Sequence, residues 1–262
     1  MATPPEPLMR RVVLYVDSLK IGGAERVTLT FARWLRQNGW TPIVLTRQSS
    51  TLDFYPIPAG VERAVEPPDP RWLRLLGHWG FPWRVRRLRH WLRQQQVSLA
   101  IGMTTKPAVK LLLAAHPLRI PCAISERNFP PLKPMALPWG VLRRFSYRWA
   151  SLHIVQTRAT GEWLKQQLSA EPQLLLPNPV QWPLPRFEPE LDPDQWLATV
   201  GVASDAPVLL AAGTKAHQKG FDLLVQAFAD LIPRYPNLQL VILGLTQEPV
   251  SYTHLRAHET PI

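Results

Sequence analysis

The feature that most narrows the choice of fold is a regular alternation of short apolar runs with helix-spaced segments. Residues 12–16 (Val-Val-Leu-Tyr-Val) carry no alternating polar positions, the pattern of a parallel strand covered on both faces. A short loop leads to Gly22 and Gly23. From Ala24 onward Val27, Thr30, Phe31, Trp34 and Leu35 recur at helical spacing, with Arg26, Arg33 and Arg36 on the other side and Gly39 where a helix C-cap belongs. Residues 43–45 read as the next strand. The same reading gives strands at 97–101, 122–125, 152–156 and 174–176, and helices at 108–115, 141–150 and 160–168. Strands alternating with helices predict an α/β fold, a parallel sheet with helices on both faces.

Pro177, Asn178 and Pro179, followed by a Pro- and Glu-rich stretch over 182–193, mark a domain linker. A second α/β pattern opens beyond it: a strand at 208–212, a polar loop at 213–220, a helix at 221–231 with Leu224, Phe228 and Leu231 on one side, and a strand at 240–243. With 262 residues, 46% of them hydrophobic, the chain has material for one large or two ordinary cores, which argues against disorder. No stretch approaches the roughly 18 apolar residues of a spanning helix. The apolar run after Arg10 and Arg11 stops at Asp17, too short for a signal peptide, so a cytoplasmic protein is expected, with peripheral attachment to the inner membrane face left open. Cys122, the single cysteine, sits in an apolar run and reads as a buried strand thiol.

The formal net charge is +11, and the excess is localised. Residues 70–125 contain no acid, while Arg71, Arg74, Arg84, Arg86, Arg87, Arg89, Arg93, Lys106, Lys110 and Arg119 all fall there. Such a field favours phosphates, anionic lipid or nucleic acid without choosing among them. Within it, Trp72, Trp79, Trp83 and Trp91 stand among arginines. They fit an interfacial helix on anionic lipid, or a domain helix whose Trp residues pack on the sheet.

Three polar segments fall at strand ends. Gly22-Gly23-Ala24-Glu25-Arg26 lies between a strand and a helix start, where loop amides meet anions, although the spacing is not that of a dinucleotide fingerprint. A simple tight turn is the alternative. Residues 213–220 (Gly-Thr-Lys-Ala-His-Gln-Lys-Gly) form a second strand-loop-helix junction with two lysines and no Walker spacing; a solvated loop is the alternative there. Ser125-Glu126-Arg127-Asn128 ends a strand, where a core role is not expected because charge is rarely buried unpaired, and a surface ion pair is the alternative.

Taken in order with Val155-Gln156-Thr157, Leu176-Pro177-Asn178-Pro179-Val180 and Gln218-Lys219-Gly220-Phe221-Asp222-Leu223-Leu224, these words resemble the family-4 retaining glycosyltransferases over residues 12–244. The resemblance implies a GT-B fold: one complete Rossmann-like domain (1–180, acceptor side), then the start of a donor-binding domain (181–249), facing each other across a cleft. It implies transfer of a hexose from a UDP- or GDP-sugar co-substrate to a glycan or glycolipid hydroxyl, without a metal or other cofactor and with no nucleic-acid partner. Carried over by position, it assigns Gly22, Gly23, Gly213, Lys215 and Lys219 to the donor diphosphate and Glu126, Arg127 and Asn128 to the acceptor side; no catalytic base is assigned. Thr214 stands where the family has Arg, so one phosphate contact is missing unless Lys215 supplies it, and Lys is the poorer substitute where bidentate geometry is wanted.

The family pattern continues well past this chain, including paired glutamates for the donor sugar and ribose. Residues 250–262 instead resemble a translated sequencing-library adaptor, and the helical spacing of His254 and His258 within them is not read as a metal site. The competing expectation is therefore a truncated, inactive form, a non-catalytic acceptor- or membrane-binding remnant.

Overall fold

A computed structural model of the protein describes residues 10–180, 192–203, 205–213, 216–244 and 257–260. It divides into two compact units, Met1–Val180 and Gln181–Ile262. The boundary falls at the start of the predicted linker, most of which lies outside the described residues.

The first unit runs β1 (Arg11–Val16), α1 (Gly23–Gln37), β2 (Thr41–Thr46), β3 (Glu62–Val65), α2 (Arg71–Leu75), α3 (Phe81–Gln94), β4 (Leu99–Gly102), α4 (Thr105–Ala115), β5 (Cys122–Glu126), α5 (Leu137–Ser146), β6 (Leu152–Val155), α6 (Arg158–Leu168) and β7 (Gln173–Leu175). Its seven strands are all parallel, in the order β3-β2-β1-β4-β5-β6-β7. The chain works outward from β1 to β3 and then crosses back to add β4 on the other side. The switch point between β1 and β4 opens the crevice where ligands of such sheets bind.

The apolar run of β1 serves two layers at once. Val13 and Tyr15 join a core with Val85, Leu88, Val109, Leu112 and Leu164, from α3, α4 and α6. Val12, Leu14 and Val16 join the opposite core with Val27, Ala32 and Leu35 of α1. Helix α1 ends as its sequence indicates: Gly39 takes φ +80°, and Trp40 N–H donates to the Leu35 carbonyl at 3.0 Å. Not anticipated was β3. Strand β3 is a short edge strand with little buried apolar area, so periodicity is silent on it.

The second unit contains α7 (Pro193–Thr199), β8 (Val208–Ala212), α8 (Ala216–Lys219), α9 (Phe221–Leu231), β9 (Gln239–Leu243) and β10 (Ala257–Thr260). The expected polar loop thus contains a helical turn, α8. Helix α9 places Phe221 and Phe228 against Leu240 and Ile242. Strand β9 is covered, whereas Leu210 on β8 is 62% exposed. Although residues 250–262 were set aside, Ala257–Thr260 pairs in parallel with β9, giving a three-stranded sheet. A strand edge offers unpaired N–H and C=O groups to any extended segment, and that pairing needs no particular side chain.

Gly102 is where the sheet and α4 approach closest. A Cβ there would lie 2.5 Å from Ala108 Cα, a backbone atom that cannot swing aside. Gly102→Ala should lower stability by about 1–3 kcal/mol, the usual cost of overpacking, read as a reduced urea midpoint with an unchanged slope.

Candidate functional site

At the switch point, α1 begins without a side-chain cap. Its N-cap, Gly22, is held by Tyr55, whose hydroxyl donates to the Gly22 carbonyl at 3.2 Å. A side chain at Gly22 would collide with the Glu25 carboxylate, which folds back over it, whereas a Cβ on Gly23 would meet nothing within 4 Å. The first turn is thus open at Gly23, where helix-start amides can receive an anion, while the Glu25 carboxylate lies over Gly22. Glu25 is the acidic group at that mouth.

Two strands along, Ser125 and Glu126 are 1% and 2% exposed, which corrects the expectation that this segment stays out of the core. The correction has a physical cause. Thr105, at the start of α4, donates to Glu126 Oε1 at 2.7 Å, and Tyr147 donates to Oε2 at 2.9 Å, so the carboxyl is buried with partners. Burial holds its pKa above the usual carboxylate range despite those two donors. Arg127 points the other way. Its guanidinium donates to Ser125 Oγ at 3.3 Å and to Asn178 Oδ1, and burial lowers its pKa. The Gln156 amide, turned with its nitrogen toward the main chain, donates to the Arg127 carbonyl at 3.2 Å. Asn128 follows, half-buried, outside this network.

Three separate words of the sequence pattern thus meet at the carboxyl edge of the sheet: Arg127 after β5, Gln156 after β6 and Asn178 after β7. Across residues 21–181 the chain matches the model of Glycosyltransferase Family 4.

The chain belongs to glycosyltransferase family 4.

A search of curated proteins finds no match. Among solved structures, HepE of Anabaena in complex with UDP and glucose is similar at 20% identity and a TM-score of 0.67, covering 92% of this chain and 62% of HepE. Sucrose-phosphate synthase of Thermosynechococcus elongatus is similar at 16% identity and a TM-score of 0.66, covering 92% of this chain and 63% of the synthase. MnaA of S. aureus, solved with UDP, is similar at 15% identity and a TM-score of 0.60, covering 97% of this chain and 68% of MnaA. The fold is that of GT-B glycosyltransferases, and this chain spans 62% of the HepE length.

In the second unit, Gly213 and Lys219 are adjacent although six positions separate them in sequence. A Cβ on Gly213 would stand 2.8 Å from Lys219 Cγ and 3.3 Å from its Cε, so the lysine stem crosses the glycine. Gly220 takes φ +68° and lets α8 turn directly into α9. Lys215 lies outside the described residues.

The basic segment also differs from its sequence reading. Lys110 is 6% exposed and ion-paired to Glu66 at 2.6 Å, with Tyr15 donating to the same carboxylate. Arg84 pairs with Asp69 at 2.6 Å. Both acids stand just before the acid-free stretch, so part of the local charge is neutralised. Residues 71–93 do not form one helix: α2, a 3₁₀ turn (Gly77–Gly80) and α3 follow one another. Val85, Leu88 and Leu92 of α3 are core residues and Trp91 packs against them, while Trp72, Trp79 and Trp83 are exposed.

The residues that sequence reasoning missed are the partners: Thr105 and Tyr147 on Glu126, Gln156 and Asn178 beside Arg127, and Glu66 on Lys110. Gln156 and Asn178 were visible as motif members, but no local signal tied them to Arg127. For Thr105, Tyr147 and Glu66 there was no signal, because hydrogen-bond partners distant in sequence leave no periodicity.

His153 on β6 makes the site's surroundings sensitive to acid. It is 1% exposed, neither ring nitrogen has a partner, and burial lowers its pKa to about 4. The unfolded chain then binds a proton between pH 6.5 and 4 that the folded chain refuses, so stability falls as pH drops through that window. His153→Leu should remove up to about 3 kcal/mol of this pH dependence, measured as the difference between wild-type and variant unfolding free energies at pH 7 and pH 4.5.

Proposed function

We propose that the protein of which this chain is part is a retaining hexosyltransferase that moves a hexose from a UDP- or GDP-sugar to a hydroxyl of a glycan or lipid-linked glycan at the cytoplasmic side. Family membership supports sugar transfer. UDP in the HepE and MnaA structures supports a nucleotide-sugar donor, with UDP the first candidate. The observation that carries the reading to specific residues is the contact of Lys219 with Gly213, a cation held over a glycine at a strand-loop-helix junction.

Breaking the bond between the anomeric carbon and the diphosphate oxygen leaves an electron pair on the leaving group. In this reading Lys219 neutralises that charge, with the amide of Gly213 as a further donor and Lys215 as a second cation. The acceptor hydroxyl forms the new bond from the face the leaving group vacates and passes its proton to the departing diphosphate, so no protein nucleophile is required. On the acceptor side, Arg127 and Asn128 are the proposed contacts. Glu126 is a positioning residue, since both its oxygens already accept from Thr105 and Tyr147.

In this reading the chain, which spans 62% of the HepE length, holds only the phosphate-facing part of a donor pocket, and a sugar nucleotide draws most of its affinity from enclosure of base, ribose and sugar. Transfer and hydrolysis of UDP-glucose should therefore be undetectable with this chain, which then acts as an acceptor-binding remnant. In the protein extended by the family's remaining C-terminal region, Lys219→Ala should lower kcat by about 10²–10³, or about 2.7–4 kcal/mol, the loss typical of one transition-state donor. Turnover by the 262-residue chain that survives Lys219→Ala would overturn both the incomplete-pocket reading and the diphosphate assignment.

A further inference from the structure

Two segments that carry exposed apolar side chains in the first unit are joined by one contact. Phe81, at the start of α3, packs edge-on against Trp139, at the start of α5, with ring centroids 5.3 Å apart. Immediately before Phe81 in sequence stand Leu75, 88% exposed, and Trp79, 85% exposed. Beside Trp139 stand Leu132 and Leu137, 83% and 80% exposed. These side chains have no reason to point outward for packing's sake. α3 already buries Val85, Leu88 and Leu92, and Leu73 of α2 is fully buried, so the neighbouring apolar residues are a surplus that the fold leaves in water.

Charge identifies what covers them. Residues 70–161 contain a single acid, Glu126, and it is buried. Arg71, Arg74, Lys106, Lys133 and Arg144 are exposed over the same span, and Lys106 Nζ sits 5.5 Å from the Trp139 ring centre. Exposed apolar side chains on segments that also carry unopposed cations match an anionic lipid surface, where Trp and Leu enter the headgroup boundary and basic side chains attract the headgroups. A protein partner would need acids in matching positions, and a nucleic acid offers nothing for Leu75 and Leu137.

We propose that the Phe81–Trp139 contact is the centre of a membrane-docking surface, on which Leu75 and Trp79 from one side and Leu132 and Leu137 from the other insert into an anionic bilayer while the surrounding cations hold headgroups. This replaces an interfacial α3 with two wedges, one formed by the end of α2 and the 3₁₀ turn after it, the other by Leu132 and the start of α5. It stands independently of the transferase reading.

Flotation of the full chain through a density gradient tests it, because aggregates sink while bound protein rises. The chain should float with vesicles of phosphatidylcholine containing about a quarter phosphatidylglycerol, and not with pure phosphatidylcholine. Binding should weaken as salt rises past the range where screening reaches about 8 Å. The double variant Leu75→Glu/Trp79→Glu should lose at least tenfold in the floated fraction, and so should Leu137→Glu. Trp34→Glu, an equally conspicuous exposed aromatic on α1, should float like the wild type. All variants alter exposed side chains, and an unchanged circular dichroism spectrum would verify the fold. Equal flotation with neutral vesicles, absence of flotation with any vesicle, or loss on Arg71→Ala/Arg74→Ala but not on the Leu75 and Trp79 change would each overturn the proposal; the last would mean purely electrostatic binding, of the kind a nucleic acid could share.

Discussion

Strand β1 is covered by helices on both faces, and the rest of the first unit follows from that. Every side chain from Val12 to Val16 is at most 1% exposed, so the strand carries no charge and its neighbours are mainly apolar on both faces, the Tyr15 hydroxyl at its carboxyl end being met by Glu66. The polar groups are driven to the strand ends. Because the strands are parallel, their carboxyl ends gather on a single edge, and Gly22, Glu126, Arg127, Gln156 and Asn178 all follow from where the apolar runs stop. The site is in this sense the remainder left by the core.

Polar groups admitted to that edge are held by partners. Glu126 accepts from Thr105 and Tyr147, and Lys110 meets Glu66 where Tyr15 also donates. Removing one member of such a set strands the others, a larger loss than the net worth of the bond itself. These groups rigidify the carboxyl edge, and Arg127, whose side-chain partners Ser125 and Asn178 are neutral, stands on that edge without a carboxylate partner among the described residues.

The alternation of strands and helices was legible because burial on two faces forces long-range order into local composition. Strand β8 was legible as well, although largely exposed, because Val208–Ala212 is an unbroken apolar run. Edge strand β3 was not, since half-exposed strands need no apolar pattern. The glycine turns and Lys219 were visible as motif words. Their meeting partners were not: Asn178 approaches Arg127 only because β5, β6 and β7 lie side by side, which is a property of sheet order and not of any window of sequence. The burial of Glu126 escaped for the same reason, as Tyr147 arrives from the far end of α5.

Cys122 opens β5 inside the helix-covered core, its thiol donating to the Ile120 carbonyl and its pKa raised by burial to about 12. Thiolate is the reactive form, so at neutral pH this sulfur is chemically silent. The protein consequently arrives as its own thiol-free background: a cysteine placed at any exposed position would be the single site that accepts a spin label or fluorophore, without prior removal of the native one.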